Sequence, residues 1–343
     1  MRAAIIRAHG GLDAIAVESL AEPDRRQGEV RVAVRACALN HMDLWARKGI
    51  PGFTFPLPLI PGCDIAGVVL EADSDAGLAA GDEVVLQPGL SCGRCLACLS
   101  GRDPLCRAYG ILGETRDGGC AEQIVVPRAN VFEKPKNLGF ADAAAFPLTM
   151  LTAWHMVVSR AQVRPGEVVV VHAAGSGVGS AAVQVAKLFG ATVIATAGGA
   201  EKCTRASALG ADHTIDTRAT PDWTAALKGL TRVTGGVDVV IEHVGGALFE
   251  QSLRVLVPGG RLVTCGATAG GKVELHLQRL FFKNLSVLGS TMGSKAELLE
   301  VAAHVAAGRL RPVVAAVLPL SEVREAHRLL ESREAFGKVV VEV

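Results

Sequence analysis

The sequence predicts an α/β chain in two parts, a β-rich barrel-like part and a doubly wound parallel sheet, and three observations carry that prediction. Short strand-like runs separated by Gly and Pro turns recur through residues 1–126. From Asp142 the apolar residues switch to helical spacing, through Ala143, Phe146, Met150 and Val157. From Glu167 to Lys202 the chain reads strand, glycine-rich turn, helix, strand, and further strand-like and helical runs alternate after it. Alternation of that kind means a parallel sheet covered on both faces.

In the first part, Val30, Val32 and Val34 alternate with Glu29, Arg31, Ala33 and Arg35, the period of a half-buried strand. Further strands are expected near Ile65–Leu70, Glu83–Gln87 and Gln123–Val126, a spacing that suits a partly open β-barrel. In the second part, Val168–Val171 is a continuous β-branched run, followed by Gly175, Gly177 and Gly179. Val178, Ala181, Ala182, Val185, Leu188 and Phe189 then recur at helical spacing until Gly190, and Thr192–Thr196 forms the next strand. Such a turn aims bare N–H groups and a helix N-terminus, here Ser176, Gly177 and Val178, at a pyrophosphate. The strict G-x-G-x-x-G is absent, since Ala174 and Ser176 stand in its first two glycine places. Strands are expected again at Val237–Ile241, Arg261–Cys265 and Leu285–Gly289. The tail reads as a helix at Lys295–Ala307 closed by Gly308, an apolar run at Val313–Leu320, a helix capped by Ser321, and a last strand at Lys338–Val343 that packs back onto the first part.

The end of the second strand of the nucleotide unit reads Thr196, Ala197, Gly198, Gly199, Ala200, Glu201, Lys202. A carboxylate at that strand end accepts the ribose 2′-OH of NAD, whereas a 2′-phosphate requires its absence and a nearby cation. With Gly198 at the strand end and Lys202 and Arg205 one turn on, the pocket is expected to take NADPH; the plain alternative is that both cations belong to a solvated helix face.

Four of the nine cysteines, Cys92, Cys95, Cys98 and Cys106, stand as C-x2-C-x2-C-x7-C. Four thiolates on short loops match the tetrahedral geometry of Zn²⁺ and leave no open position, so one structural zinc is expected. An iron–sulfur cluster or disulfides are the alternatives. Cys37, Cys120, Cys203 and Cys265 read as small buried residues. Half of the residues are hydrophobic, yet no run of eighteen apolar residues occurs, and the net charge of +1 is dispersed. Neither a membrane span nor a nucleic-acid footprint is expected. The opening MRAAIIRAHGG has no apolar core or cleavage site of a secretory signal, which makes a cytoplasmic protein the default.

With a β-rich part, a four-cysteine lobe and a dinucleotide unit in that order, the whole chain resembles the medium-chain dehydrogenase/reductase superfamily, which includes zinc alcohol dehydrogenases and quinone oxidoreductases. Its specific motifs are the cysteine lobe, AAGSGVG and the LTAW segment Leu151–Trp154. The resemblance implies a GroES-like catalytic domain at 1–149 with 293–343, a Rossmann domain at 150–292, a substrate cleft at their junction, and homodimers or homotetramers. It also implies that Thr152, Cys265 and Thr291 border the nicotinamide. Departures from the zinc alcohol dehydrogenase pattern are specific: Asn40 replaces the cysteine of the first catalytic-zinc segment, Cys63 replaces the histidine of the second, and Leu148 falls where a third ligand is expected. A catalytic zinc is therefore not expected, and the N-x-x-D of Asn40 and Asp43 is similar to the quinone-reductase branch. The expected reaction is hydride transfer from NADPH to a small-molecule enone, quinone or enoyl acceptor, with Asn40 and His41 as donor and proton relay and Trp45 lining the pocket. Tyr109, the one tyrosine, is not assigned the proton. Three alternatives remain: a non-standard cleft metal on His41, Cys63 and Asp64 serving an alcohol dehydrogenase, His41 as a cofactor-ribose partner, and a non-catalytic NADP(H)-binding protein.

Overall fold

The computed structural model describes all residues from Met1 to Val343. β1 (Arg2–Ile6) pairs antiparallel with β2 (Ile15–Ser19), and the longer β3 (Glu29–Ala38) follows. On β3 the alternation of the sequence becomes alternation of burial: Val30, Val32 and Val34 lie inside, and both faces are covered where the strand reaches Ala36, Cys37 and Ala38. Each valine taken fully out of water contributes about 1.5–3 kcal/mol. Next come β4 (Asp64–Glu71), β5 (Glu83–Leu86), the short pair β6 (Gly89–Leu90) and β7 (Gly110–Ile111), β8 (Gln123–Pro127) and β9 (Val131–Glu133).

Helical spacing after Asp142 gives two helices, Phe140–Ala144 and Pro147–Trp154, and then a π-helical stretch at His155–Arg160. The break falls before Pro147, whose ring restricts the preceding residue and whose missing N–H suits a first helical position.

The nucleotide unit has β10 (Val168–Val171), β11 (Thr192–Ala197), β12 (His213–Asp216), β13 (Val237–Glu242), β14 (Leu256–Thr264) and β15 (Ser286–Gly289) in the order β12-β11-β10-β13-β14-β15. Every pair is parallel, the Rossmann arrangement. Gly179 is required here, because a Cβ on it would lie 2.2 Å from the Ala173 carbonyl oxygen, so only glycine lets the helix Gly177–Leu188 pack this close to the loop.

β16 (Val314–Pro319) and β17 (Lys338–Glu342) return to the first sheet, whose order is β16-β17-β3-β4-β5-β9, with β8 also on β3. The helix Lys295–Ala306 opens with Ser294 and Glu297 bonding reciprocally to each other's backbone N–H. Ser321 does not cap the following helix; it sits in a 3₁₀ turn, Leu320–Glu322, and the helix runs Val323–Ser332 with Glu322 at its N-cap. The chain forms two compact units, Met1–Leu148 with Gly293–Val343, and Thr149–Met292.

Candidate active site and metal centre

Register brings three distant residues of the first unit together. Val340 pairs with Ala38 across β17 and β3, and Ala38 pairs with Asp64 across β3 and β4, so Lys338, Asn40 and Asp64 meet at one end of the sheet. All three are buried. The Lys338 ammonium donates to Asn40 Oδ1 at 2.5 Å and to Asp64 Oδ2 at 2.8 Å. Asn40 Nδ2 donates to Asp64 Oδ2 at 2.9 Å and to Cys63 Sγ at 3.3 Å, and Asp64 Oδ1 accepts the Leu148 backbone N–H at 2.6 Å.

Asp43 closes the first turn of the helix His41–Lys48. Its Oδ2 accepts the Asn40 backbone N–H at 2.6 Å, and its Oδ1 accepts that of Gly62 at 2.8 Å. Complete burial pushes its carboxyl up to about 6 against those two hydrogen bonds. Gly62 has φ +95°, and a Cβ there would stand 2.3 Å from Cys37 Sγ, so the turn leading into Cys63 tolerates only glycine. Burial, with Asp64 and Asp43 nearby, holds the Cys63 thiol well above its usual range, which keeps it protonated.

His41 is partly buried; desolvation, with Arg333 and Lys48 nearby, lowers its pKa, so the imidazole is neutral at physiological pH. It stands edge-on to Trp45, ring centroids 5.7 Å apart, and Trp45 packs against the core of this unit. Glu114, which the sequence reading did not single out, is also partly buried, and desolvation followed by Asp43 raises its pKa.

In the second unit, Ser176 is the N-cap of the helix Gly177–Leu188: its Oγ accepts the Gly179 N–H at 2.9 Å and pairs with His243 Nε2 at 2.9 Å. Gly177 and Val178 are half-exposed in the first turn. Neighbouring strand ends carry the other groups. Glu242, buried at the end of β13, accepts from the Val244 and Gly245 N–H groups at 2.6 Å each and from Thr264 Oγ1 at 3.1 Å. Cys265 follows β14, while Thr291, just past β15, is exposed. Thr152 Oγ1 is buried with no hydrogen-bond partner. Beyond β11, the Gly199 N–H donates to Asp216 Oδ1 at 2.8 Å, and a Cβ on Gly198 would meet Arg218 Nε at 3.3 Å. Lys202 and Arg205 lie on the helix Ala200–Ala208 that starts there, both partly exposed. A helix N-terminus at a strand end, glycine where backbone approaches closely and an orphaned hydroxyl together fit a dinucleotide.

His172 shows how the sheet end is held. Ser252 Oγ donates its one proton to the Leu248 carbonyl, so at 2.9 Å from His172 Nε2 it must accept, and Nδ1 accepts from Thr196 Oγ1, also at 2.9 Å. The ring is a neutral Nε2–H tautomer, and burial with His243 nearby pushes its pKa down to about 3.

The sulfurs of Cys92, Cys95, Cys98 and Cys106 all lie within 4.8 Å of one another, with Cys95 and Cys98 at 3.5 Å and Cys92 and Cys98 at 3.9 Å. A tetrahedral zinc with Zn–S of about 2.3 Å needs sulfurs about 3.8 Å apart, so shifts of no more than about 1 Å would bring the four onto that ion. Backbone N–H groups of Arg94 and Cys95 help bring the Cys92 thiol down to about 6.

Family models match both parts of the chain: the alcohol dehydrogenase GroES-like domain at residues 26–136 and the zinc-binding dehydrogenase domain at 177–307. A zinc-type alcohol dehydrogenase-like protein of Schizosaccharomyces pombe is 33% identical over 97% of this chain and 96% of its own. Quinone oxidoreductase-like protein 2 of Bos taurus is 31% identical over 91% and 84%. Among solved structures, an NAD-dependent alcohol dehydrogenase superposes with a TM-score of 0.96 at 50% identity, each chain fully covered. The chain belongs to the medium-chain dehydrogenase/reductase superfamily. It is an NAD(P)-dependent oxidoreductase of the zinc-binding dehydrogenase type, and no helix is long and apolar enough to cross a membrane.

The sequence reading missed Lys338, Glu114, Arg218, Glu242 and His243. Only the adjacent Glu242 and His243, two ionisable residues ending an apolar strand, left a local signal.

Proposed function

We propose that this enzyme transfers hydride from NADPH to a conjugated carbonyl or quinone and holds one structural zinc on Cys92, Cys95, Cys98 and Cys106. The observation that carries this reading is the closure of the Asn40–Cys63–Asp64 nook. Both Asp64 oxygens are engaged by Lys338, Asn40 and Leu148, and the Cys63 thiol is buried beside two carboxyls. A Lewis-acid metal would have to break that network before binding. Conjugate reduction asks less of a site, because the developing charge spreads over an enolate or hydroquinone anion instead of one alkoxide oxygen. The nicotinamide supplies the hydride when bound. Neutral His41 can donate and accept a proton, Asn40 stays beside it in a fixed orientation, and Trp45 serves as a wall.

For the cofactor, Ala197 and Gly198 offer a 2′-OH nothing, while Lys202, Arg205 and Arg218 supply positive charge for a 2′-phosphate. A second reading, NAD-linked alcohol oxidation, has two observations behind it: the carboxylate of Asp216 next to Gly199, and the NAD-dependent relative at 50% identity. Thr152, Cys265 and Thr291 remain the proposed nicotinamide neighbours. The reading also includes a homodimer through β15. That strand ends the six-stranded sheet with Val287 exposed, and Phe281 and Phe282 of the preceding helix are exposed as well. A reducing cytoplasm suits a protein whose thiolates must stay ready for metal.

Spectrophotometry decides the reaction. NADPH oxidation with quinones, enones and enoyl thioesters should exceed that with simple aldehydes and should survive a chelator that leaves the cysteine lobe loaded. Fast, chelator-sensitive oxidation of a simple alcohol with NAD⁺ would establish the second reading instead.

A further inference from the structure

We propose that Lys338 is a positioning residue: its buried ammonium fixes the orientation of the Asn40 amide and, through Asp64, ties that amide to the first turn of the helix Pro147–Trp154. Lysine carries donors only, so the Asn40 atom 2.5 Å from Nζ must be the oxygen. That assignment leaves Nδ2 facing Asp64 Oδ2 at 2.9 Å, with Cys63 Sγ at 3.3 Å and the Ala38 carbonyl oxygen at 3.4 Å as further acceptors. With the lysine replaced by an apolar residue, Oδ1 would lose its donor and the amide would be held from its Nδ2 end alone, by Asp64, Cys63 and the Ala38 carbonyl.

Asp64 joins this pair to the helix. Its Oδ2 takes Lys338 and Asn40, and its Oδ1 takes the Leu148 N–H, one of the first-turn N–H groups that a helix cannot satisfy itself. A carboxylate at a helix N-terminus is favourable, but one that is wholly buried needs a cation, and Lys338 is the only cation within ion-pair distance of it. One ammonium, 298 residues from Asn40 and 274 from Asp64, therefore orders a side chain at the expected reacting centre and the start of the helix bearing Thr152. Asp43, Cys63 and Glu114 are the other ionisable groups around this nook, and none of them donates to Asn40 Oδ1.

This role rests on the reading above in one respect, that Asn40 acts at the reacting centre, so the test has an arm that needs no turnover. The chain has four asparagines, and full-length protein labelled with ¹⁵N-asparagine gives four side-chain amide signals. In the wild type the Asn40 pair should exchange slowly with solvent; in Lys338→Met it should move and exchange at least tenfold faster, roughly the loss expected when a buried hydrogen bond to a charged group is removed. The second arm is a double-mutant cycle with whichever acceptor is turned over. Lys338→Met should lower kcat about tenfold and leave the cofactor KM within about twofold, and in an Asn40→Ala background it should change kcat by less than about twofold. An unchanged Asn40 signal, or effects that simply add, would overturn the proposal. If Lys338→Met loses its fold, Lys338→Gln takes its place, and an Asn40 signal identical to wild type in that neutral variant would overturn it equally. Absence of turnover with every acceptor strikes the reductase reading and leaves the amide signal to decide the role of Lys338.

Discussion

Two clusters of potential metal ligands sit in the same unit, and they differ in what completes them. In the cysteine lobe, four sulfurs converge within 4.8 Å of one another. In the Asn40–Cys63–Asp64 nook, the same unit supplies its own cation in Lys338, and every strong acceptor is already engaged. On the proposed reading the lobe takes an ion from outside, while the nook has its charge covalently attached. On that reading, ligand-type residues alone do not make a metal site; the partner already present decides.

The sharpest way to break that contrast is to remove one sulfur. Cys106→Ser should abolish stoichiometric zinc and cause the largest stability loss, since metal affinity at a structural site is folding free energy; a variant that keeps one zinc and its wild-type unfolding temperature would deny the lobe its role. In the nook the complementary change is Asp64→Ala, which leaves the Lys338 ammonium buried without its carboxylate. Breaking a buried pair from one side costs about 3–5 kcal/mol, and denaturant unfolding should read a loss of that size. A loss under about 1 kcal/mol would mean that water reaches the lysine.

Acid sharpens the comparison between the units. His327 in the first and His172 in the second are both held by burial at about 3. A histidine depressed below its unfolded value of about 6.5 binds fewer protons when folded, so stability is complete above about 6.5 and declines as pH falls towards 3. At pH 5 each should cost about 2 kcal/mol. Asp43, raised to about 6, acts in the opposite sense between about 4 and 6 and offsets roughly 1 kcal/mol of it. Urea titrations at pH 7 and pH 5 should show the decline, and His327→Leu and His172→Leu should each flatten it.

The smallest effect concerns the cofactor. A charge-assisted contact is worth about 1.5–3 kcal/mol, or roughly ten- to a hundredfold, so Lys202→Ala and Arg218→Ala should each weaken NADPH by that order and leave NADH nearly unchanged. Equal losses for both nucleotides would confine these cations to the fold.

The periodic parts of the molecule were legible in the sequence because they are local. Val168–Val171 and the glycines after it define their strand and turn within a few residues, and the alternation at Val30–Val34 does the same. The cysteine lobe was legible because its ligands lie within fifteen positions of one another, Cys92 to Cys106. Lys338 was not, because a single lysine opening an apolar strand looks like any strand end until the register of β17, β3 and β4 sets it against Asn40 and Asp64. Ser321 misled for a related reason: a good capping residue was in place, but the 3₁₀ turn at Leu320–Glu322 delays the helix.

The most direct test of the contrast between lobe and nook is the metal content and ligand shell of purified full-length protein, by elemental analysis with X-ray absorption. One zinc per chain in an all-sulfur shell at about 2.3 Å is the expected result. Two per chain, or a shell containing nitrogen or oxygen, would contradict it and return the Asn40–Cys63–Asp64 nook to the list of metal sites.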